Sequence, residues 1–453
     1  MTGNTPTTLN NLSPELLSEI FWHSVYDDPY GAYVPRAAPL LLGRVCSRWR
    51  TISISTPELW STIVIGGHTS NITDKYRSDM VCAAVWIKRS GTRPLTFYVN
   101  DYGHPPEDNG AALRQVLDSV VSHCRRWRTL RASLPFEFMK ILLAPLMEGN
   151  TPKLENFQSY STSPPGITLV LDRPPFVLSS APRLKRLELI GAPIHIDFGD
   201  EIHHVRFISV GPRERAKLSL GDLLRCVTRC QSVTILLLSI RESSITATLQ
   251  RSLPTVIVLA NLRTLTLNLS AGVDTYLVFD RLFLPSIEYL RLAMNQCAQT
   301  DWSYLGSMLE RSRPPLACLY LHGVPMTDKT LIECLSFTPK LIEAFLCGIS
   351  CSDVTLASLT IDEKEGSNSA MLCPYLSNIG FGSPSLFSPN ALKSMILSRW
   401  LASDQVSDII PGKALHEVRC SPELVDNLFL DPDILHCARG GLTLAEWYDL
   451  EDE

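Results

Sequence analysis

The sequence lacks the segments that insert a chain into a membrane or direct it to secretion. No apolar run reaches the roughly 20 residues that a membrane-spanning helix needs. The best runs, such as Val233–Ile240, have the length of a strand. The first residues contain neither the basic start nor the apolar stretch of a signal peptide. We therefore expect a cytoplasmic or nuclear protein that makes no membrane contact.

Positive charge is scarce for a protein that would coat nucleic acid. The 453 residues include 41 Lys and Arg against 46 Asp and Glu, which gives a net charge of −5. A nucleic-acid-binding surface needs a clustered excess of Lys and Arg, so we expect no nucleic-acid partner. Hydrophobic residues make up 45% and charged residues 19% of the chain. These proportions are typical of a folded protein with a large core.

Motifs of catalysis, cofactor binding and metal binding are missing. The chain contains no Gly-x-Gly-x-x-Gly, no Gly-x-Ser-x-Gly, no Cys-x-x-Cys and no His-Glu-x-x-His. Cys226 and Cys230 lie four residues apart, but Cys226 falls in an apolar helical stripe, and core packing explains it. The adjacent residues His203 and His204 diverge on a helix or a strand. We therefore expect no metal ion, no cofactor and no enzymatic activity.

One short pattern recurs through most of the chain: apolar, two free positions, apolar, one free position, apolar. Consecutive copies begin 21 to 39 residues apart, and most of these distances lie near the period of leucine-rich repeats, about 20–29 residues. Five clear copies are Leu184-Leu187-Leu189, Val233-Leu236-Leu238, Leu262-Leu265-Leu267, Ile287-Leu290-Leu292 and Leu316-Leu319-Leu321. Weaker copies begin at Trp127, Leu154, Val205, Leu341, Leu376 and Leu415.

The pattern predicts a strand in each copy, because its last two apolar residues lie two apart and point to one face. Helix-compatible stretches between copies are Ala216–Cys230, Thr327–Phe337 and Asn390–Leu401. One strand and one helix cannot bury their faces alone, so neighbouring units must stack. We therefore predict an α/β fold, an irregular leucine-rich-repeat solenoid over residues 61–440. Its curved parallel sheet would carry helices on the convex side. The alternative is a nonperiodic α/β domain.

Residues 9–60 differ from the repeats and predict a short helical module. Ser13 and Pro14 are a typical N-cap and first helical residue. The apolar side of this first helix is formed by Leu16, Leu17, Ile20 and Phe21. A second predicted helix has an apolar side formed by Leu41, Leu42, Val45 and Trp49.

Three short sequence segments occur in combination in this module. They are Leu12-Ser-Pro14-Glu-Leu16-Leu with Ile20-Phe21, then Val45-Cys46-Ser-Arg-Trp49-Arg, then Pro57-Glu-Leu59-Trp60. In this combination the module resembles the divergent F-box-like domain abundant in mushroom-forming fungi. The resemblance implies docking on the Skp-type adaptor of a cullin–RING ligase, and a substrate receptor in ubiquitin-dependent protein degradation. The implied adaptor-binding residues are Leu12, Pro14, Leu16, Ile20, Phe21, Val45, Cys46, Trp49, Leu59 and Trp60. For Leu17, Val45 and Trp49 the alternative is burial in the module's own core.

The resemblance continues into the segment after the module. Trp60–Ile65 is similar to the family's first strand, and Arg77–Ser90 to the following helix. Arg93–Val99, with alternating Leu95, Phe97 and Val99, is similar to the next strand. We therefore expect the module and the repeats to form one continuous body.

Aromatic and basic residues cluster at the free positions of three successive predicted strands. They are Tyr289, Arg291, Tyr320, His322 and Phe345. Tyrosine and arginine are enriched at binding hot spots, so we expect these five residues to bind an unknown target protein. The alternative is an ordinary surface.

Both ends of the chain are expected to lie outside the repeats. Residues 1–8 should be disordered, and residues 441–453 should form a solvated acidic tail. The alternative for the tail is that it folds across the concave face. If the helical module no longer engages an adaptor, the protein would be a non-catalytic interaction scaffold built from the repeats.

Overall fold

The structure is a computed structural model that describes residues 12–25, 38–66, 75–100, 107–162, 175–191, 195–211, 218–295, 299–361, 371–383, 385–405 and 415–447. The residues expected to be disordered, 1–8, lie outside these ranges. The described part of the chain is an α/β protein with two compact units. The first unit reaches Gly199 and the second begins at Asp200. Each strand pair described below is parallel.

The first unit begins with three helices, α1 (Pro14–Val25), α2 (Ala38–Val45) and α3 (Ser47–Ser55), and a 3₁₀ turn at Pro57–Trp60. Helix α1 begins at Pro14 as predicted, and the Ser13 hydroxyl accepts a hydrogen bond from the Leu16 N–H at 3.4 Å. The prediction of a single second helix is wrong, because two helices, α2 and α3, occupy that segment. Cys46 is extended (φ −158°, ψ 171°), so it ends α2 and caps α3 by accepting from the Trp49 N–H at 3.4 Å.

The core of the helical module extends beyond the boundary expected at residue 60. Its buried residues are Leu17, Phe21, Ile52, Leu59 and Trp60. Trp86, which belongs to the next helix α4 (Lys75–Arg89), packs against this core. The rings of Trp60 and Trp86 lie 5.2 Å apart at 76°. The module therefore shares its core with the elements that follow it.

The remaining elements of the first unit alternate between strands and helices. In chain order they are β1 (Thr62–Gly66), α4, β2 (Leu95–Asn100), α5 (Glu107–Val121), β3 (Trp127–Pro135), α6 (Phe136–Met147), β4 (Asn156–Thr162), β5 (Phe176–Val177), β6 (Arg186–Ile190) and β7 (Ile196–Asp197). The sheet order is β1-β2-β3-β4-β6, while β5 pairs with β7. Strands β1 and β2 and helix α4 match the elements expected after the module.

The second unit repeats the same alternation. In chain order its elements are β8 (Phe207–Val210), β9 (Leu218–Ser219), α7 (Leu220–Arg229), β10 (Ile235–Glu242), α8 (Ala247–Ser252), β11 (Ile257–Val258), β12 (Thr264–Leu269), α9 (Tyr276–Phe279), β13 (Leu282–Phe283), β14 (Tyr289–Met294), α10 (Tyr304–Ser312), β15 (Cys318–His322), α11 (Asp328–Ser336), β16 (Glu343–Cys347), α12 (Asp353–Leu359), β17 (Asn378–Phe381), α13 (Pro389–Gln405), β18 (Glu417–Cys420), α14 (Pro422–Phe429), α15 (Pro432–Arg439) and β19 (Thr443–Glu446). The sheet order is β8-β10-β12-β14-β15-β16-β17-β18-β19, with β9 beside β10. Helices α7, α11 and α13 fall on the three predicted helical stretches.

Strand register aligns the recurring apolar pattern, which confirms a strand at each predicted copy. In the second unit one row is Leu236, Leu265, Leu290, Leu319, Ala344, Ile379 and Val418. In the first unit the corresponding row is Ile63, Phe97, Leu130, Phe157 and Leu187. All of these side chains are buried. Apart from the buried Cys347, the alternate residues of β12 and β14–β16 are half-buried. We call this side of the second unit's sheet its open face.

The sheet continues past the boundary that we expected at residue 440. Strand β19 pairs with β18, and Leu444 lies level with Val418. Leu442, just before the strand, is buried. The expected start of the acidic tail at residue 441 is therefore too early, because residues 443–446 belong to the sheet. Residues 448–453 lie outside the described residues.

Neighbouring helices of the second unit are joined by a row of aspartates, which we call the aspartate ladder. It consists of Asp301, Asp328 and Asp353. Asp328, the first residue of α11, accepts from the N–H and the hydroxyl of Ser352 at 3.0 and 2.7 Å, and Ser352 caps α12. Asp353 accepts in the same way from Ser388, just before α13. Asp301 accepts from the N–H of Thr327, which caps α11, at 3.1 Å. Each aspartate thus fixes the start of the following helix.

No helix in the described part of the chain has both the length and the apolar character to cross a bilayer.

Candidate protein-binding surfaces

The helical module exposes apolar side chains although its core is filled. Leu16 and Ile20, one turn apart on α1, are 55% and 46% exposed. Leu41 and Val45, one turn apart on α2, are 52% and 60% exposed. Val45 is therefore not a core residue, contrary to one of the two possibilities that its sequence position allowed. Trp49, after the break at Cys46, packs against the module core instead.

The other expected adaptor-binding residues divide into two groups. Pro14 is exposed, while Leu12, Cys46 and Trp49 are half-buried. Phe21, Leu59 and Trp60 are buried, so none of the three offers its side chain at the surface of this structure. The Phe21 ring packs against Trp49 at 4.8 Å, and the Trp60 Nε1–H donates to the Ser53 carbonyl at 2.7 Å. These side chains support the exposed surface from within.

Three of the five expected target-binding residues lie side by side on the open face of the second unit. Arg291, Tyr320 and Phe345 are in register on β14, β15 and β16. The Arg291 guanidinium lies 4.4 Å from the centre of the Tyr320 ring, and the rings of Tyr320 and Phe345 lie 6.0 Å apart. Such cation–π and aromatic contacts stabilise the row. We call these residues, with Gly380 and Arg419 that continue the same register, the aromatic row.

The other two expected residues flank this row. Tyr289 lies two positions before Arg291 on β14, level with Cys318. Burial raises the pKa of Tyr289 above its usual value, and it raises the pKa of the Cys318 thiol to about 12. His322 lies two positions after Tyr320 on β15, level with Ala293 and Cys347. The structure therefore places all five residues on neighbouring strands, with the aromatic contacts concentrated at Tyr320 and Phe345.

Trp447 joins the aromatic row, and the sequence reasoning missed it. Its ring lies 5.7 Å from Phe345 and 6.2 Å from Tyr320, tilted by 35° and 34°. A Cβ atom at Gly380 would lie 2.6 Å from Cζ3 of Trp447 and 2.7 Å from Cδ1 of Phe345. The indole thus lies where the row has no side chain. The alternation of Leu442 and Leu444 was a signal for the strand, but nothing local linked Trp447 to Gly380.

Two charged groups beside the aromatic row have polar partners. Arg419 binds Glu417 at 2.9 Å and lies 5.8 Å from the centre of the Phe345 ring. Glu343 accepts a hydrogen bond from Asn378 at 3.1 Å. The row therefore presents aromatic surface, with the Arg291 guanidinium over the Tyr320 ring at one end and the paired Arg419 at the other.

The corresponding side of the first unit's sheet is polar. Tyr160 on β4 donates to Glu188 on β6 at 2.8 Å, and Arg186 binds the other carboxylate oxygen at 2.8 Å. Burial and then the Glu188 hydrogen bond raise the pKa of Tyr160 to about 12. Because these groups satisfy one another, the aromatic row is the better candidate for binding a target.

The cysteine and histidine pairs singled out in the sequence lie in different settings. Cys226 and Cys230 are buried, and the hydrogen bond to Cys230, followed by burial, holds the pKa of Cys226 well above its usual value. His203 is buried while its neighbour His204 is exposed. The described residues contain no cluster of three or more His, Cys, Asp or Glu arranged to hold a metal ion.

Comparison with known proteins adds no assignment. No family model matches this chain. A search of curated proteins found no significant match either. The surfaces described above are therefore the observations on which a function can be argued.

Proposed function

We propose that the chain is the substrate-receptor subunit of an SCF-type cullin–RING ubiquitin ligase, working in the cytoplasm or nucleus. In this proposal the F-box-like module docks on the Skp-type adaptor, and an irregular leucine-rich-repeat array binds a target protein. The observation that carries it is the exposed apolar pair on each of α1 and α2, in a module whose core is already filled. Exposed apolar surface of this kind is typical of a protein-binding site.

The second half of the proposal is supported by the repeated strand and helix pattern. Parallel strands at the expected spacing leave one side of the sheet available, and repeat proteins use such surfaces for binding. A receptor of this kind contributes effective concentration and orientation to ubiquitin transfer and needs no catalytic site of its own. We therefore propose that the protein is not an enzyme.

The test is capture of the Skp-type adaptor by the full-length protein. We expect Leu16→Glu/Ile20→Glu to weaken adaptor binding by about 100-fold or more, because a charge replaces each of two central apolar contacts. Both side chains are exposed, so the fold should survive. Phe21 is unsuitable for this test, because its side chain is buried in the module core and its removal would leave a cavity.

A matched control is available on α4. Val81 and Val85 are also exposed and one turn apart, so Val81→Glu/Val85→Glu should leave adaptor binding unchanged. Binding would be measured by calorimetry, with circular dichroism to verify folding. A wild-type protein that fails to capture the adaptor would refute the ligase role, and equal losses in both double variants would refute the assigned surface.

The alternative is a repeat scaffold that engages no ligase. The aromatic row favours it as a second candidate, because those contacts are formed entirely within the second unit and need no helical module. Capture of target proteins by a chain that fails to capture the adaptor would support this alternative.

A further inference from the structure

The open face of the second unit has a gap in its row of side chains at Gly380. Arg291, Tyr320 and Phe345 precede this position in register, and Arg419 follows it. Gly380 lacks a left-handed backbone conformation, so its own geometry would accept an alanine. What excludes a side chain is the space already taken by the rings of Trp447 and Phe345, since non-bonded carbons pack at about 3.5–4.0 Å.

Trp447 fills this gap from the end of a weakly buried strand. In β19 the first and last residues, Thr443 and Glu446, are exposed, and the two between them are half-buried. The strand is held by backbone pairing with β18, and the Trp447 N–H donates to the Cys420 carbonyl at 2.7 Å. The indole is therefore the largest apolar side chain on residues 443–447, whose strand has no fully buried residue, and releasing it should favour local opening of the segment.

We propose that the space above Gly380 is a binding notch for a tryptophan-like aromatic side chain on an extended segment of the target. Trp447 occupies the notch in cis, and a target segment occupies it in trans after β19 opens. The inference rests on the proposed receptor function, and it names the class of target group and the way in which the site is controlled.

The chemistry of the walls selects this occupant. Phe345 and Tyr320 offer ring faces at 5.7 and 6.2 Å from the indole, and offset ring contacts add stability beyond simple burial. Arg419 is already paired with Glu417, so an anionic side chain would gain little there. An extended backbone matches the geometry that β19 adopts beside β18.

The first test measures whether Trp447 is held by the notch. Hydrogen exchange of the full-length protein should show faster exchange in residues 443–447 for both Trp447→Ala and Gly380→Ala. The first variant removes the indole and the second fills its space. Thr443→Ala changes an exposed residue of the same strand and should leave exchange unchanged. Unchanged exchange in both test variants would overturn the inference.

The second test uses a peptide with the chain's own residues 441–453, carrying a fluorescent label. It should bind full-length Trp447→Ala protein, and it should bind the wild type at least about tenfold more weakly because the tethered indole competes at high effective concentration. A peptide with alanine in place of tryptophan, and a protein with both Phe345→Ala and Trp447→Ala, should show no binding. Equal binding to wild type and variant, or binding to neither, would overturn the inference.

These experiments contain no adaptor, so their outcome is separate from the ligase role. Adaptor capture by Trp447→Ala should equal that of the wild type. If the wild type itself fails to capture the adaptor, the proposed ligase function fails while the peptide results still decide on the notch.

Discussion

Arg399 on α13 is a buried cation that holds irregular backbone together. Its guanidinium donates to the carbonyl oxygens of Leu359, Leu372 and Cys373 at 2.8, 2.8 and 3.1 Å. The connection between β16 and β17 is long for this array, and Arg399 joins its two described ends. Burial lowers the pKa of Arg399 to about 10, so the group stays charged at neutral pH and keeps all three bonds.

We expect Arg399→Met to lower the free energy of unfolding by roughly 3 kcal/mol, because three buried carbonyl groups lose their donor while the side-chain stem is retained. Arg439 on α15 is exposed, so Arg439→Met should change stability by less than about 0.5 kcal/mol. Urea unfolding followed by circular dichroism measures both. Similar small effects in the two variants would show that the Arg399 contacts contribute little.

Residues of the aromatic row should matter for binding and not for folding. Tyr320→Ala/Phe345→Ala removes two half-buried rings from the open face. We expect the amount of captured target protein to fall by about tenfold or more, as at other aromatic hot spots. Tyr276, which is exposed outside the row, provides the control Tyr276→Ala. Quantitative mass spectrometry of captured proteins is the measurement, and an unchanged set would remove the row as the target site.

At the scale of elements, the aspartate ladder explains how successive helices keep their alignment. Burial raises the pKa of Asp328, but hydrogen bonds from Ser352 and Thr355 outweigh it, and the net pKa lies below the usual value. A carboxyl group with a lowered folded-state pKa stabilises the protein above its unfolded pKa. That contribution is lost as the pH falls through the folded value.

We therefore expect Asp328→Ala to cost about 1–3 kcal/mol at pH 7, because hydrogen bonds to a charged acceptor and a helix cap are lost together. The difference from wild type should shrink as the pH falls below about 4. Lys329→Ala, an exposed neighbour on the same helix, is the control. Urea midpoints at several pH values test this, and a difference independent of pH would contradict the assigned role of the carboxylate.

Most strands could be predicted at this scale, but one helix boundary could not. The pattern fixes two apolar residues on one side of each strand, and burial of that side is imposed by the helices it packs against. The helical spacing of Leu41, Val45 and Trp49 runs unbroken across Cys46, with no proline to mark an end. The extended backbone of Cys46, and the packing of Trp49 against Phe21 that it permits, separate the two helices.

At the scale of the whole molecule, each repeat within a compact unit pairs its strand with the strands of adjacent repeats. Such arrays distribute stability locally, since a unit is supported by the interfaces on either side of it. This organisation could be predicted from the repeat spacing. The contact of Trp447 with Phe345 could not, because it joins residues far apart in sequence and depends on a missing side chain at Gly380.

We expect Leu319→Ala, in the buried row of β15, to cost about 2–5 kcal/mol and to act locally. Hydrogen exchange should accelerate most in β14 and β16, which flank β15, and least in β2 and β3 of the first unit. Leu130→Ala in β3 is the reciprocal variant and should reverse this order. Uniform acceleration across both units would contradict local distribution of stability.

Gly380 has a consequence for the history of the sequence. Its backbone would accept other residues, and the rings of Trp447 and Phe345 keep its space closed to them. Positions 380 and 447 should therefore change together among related chains. Where a lineage has acquired a larger residue at the first position, the aromatic ring at the second should be absent, although several elements of the fold separate the two positions along the chain.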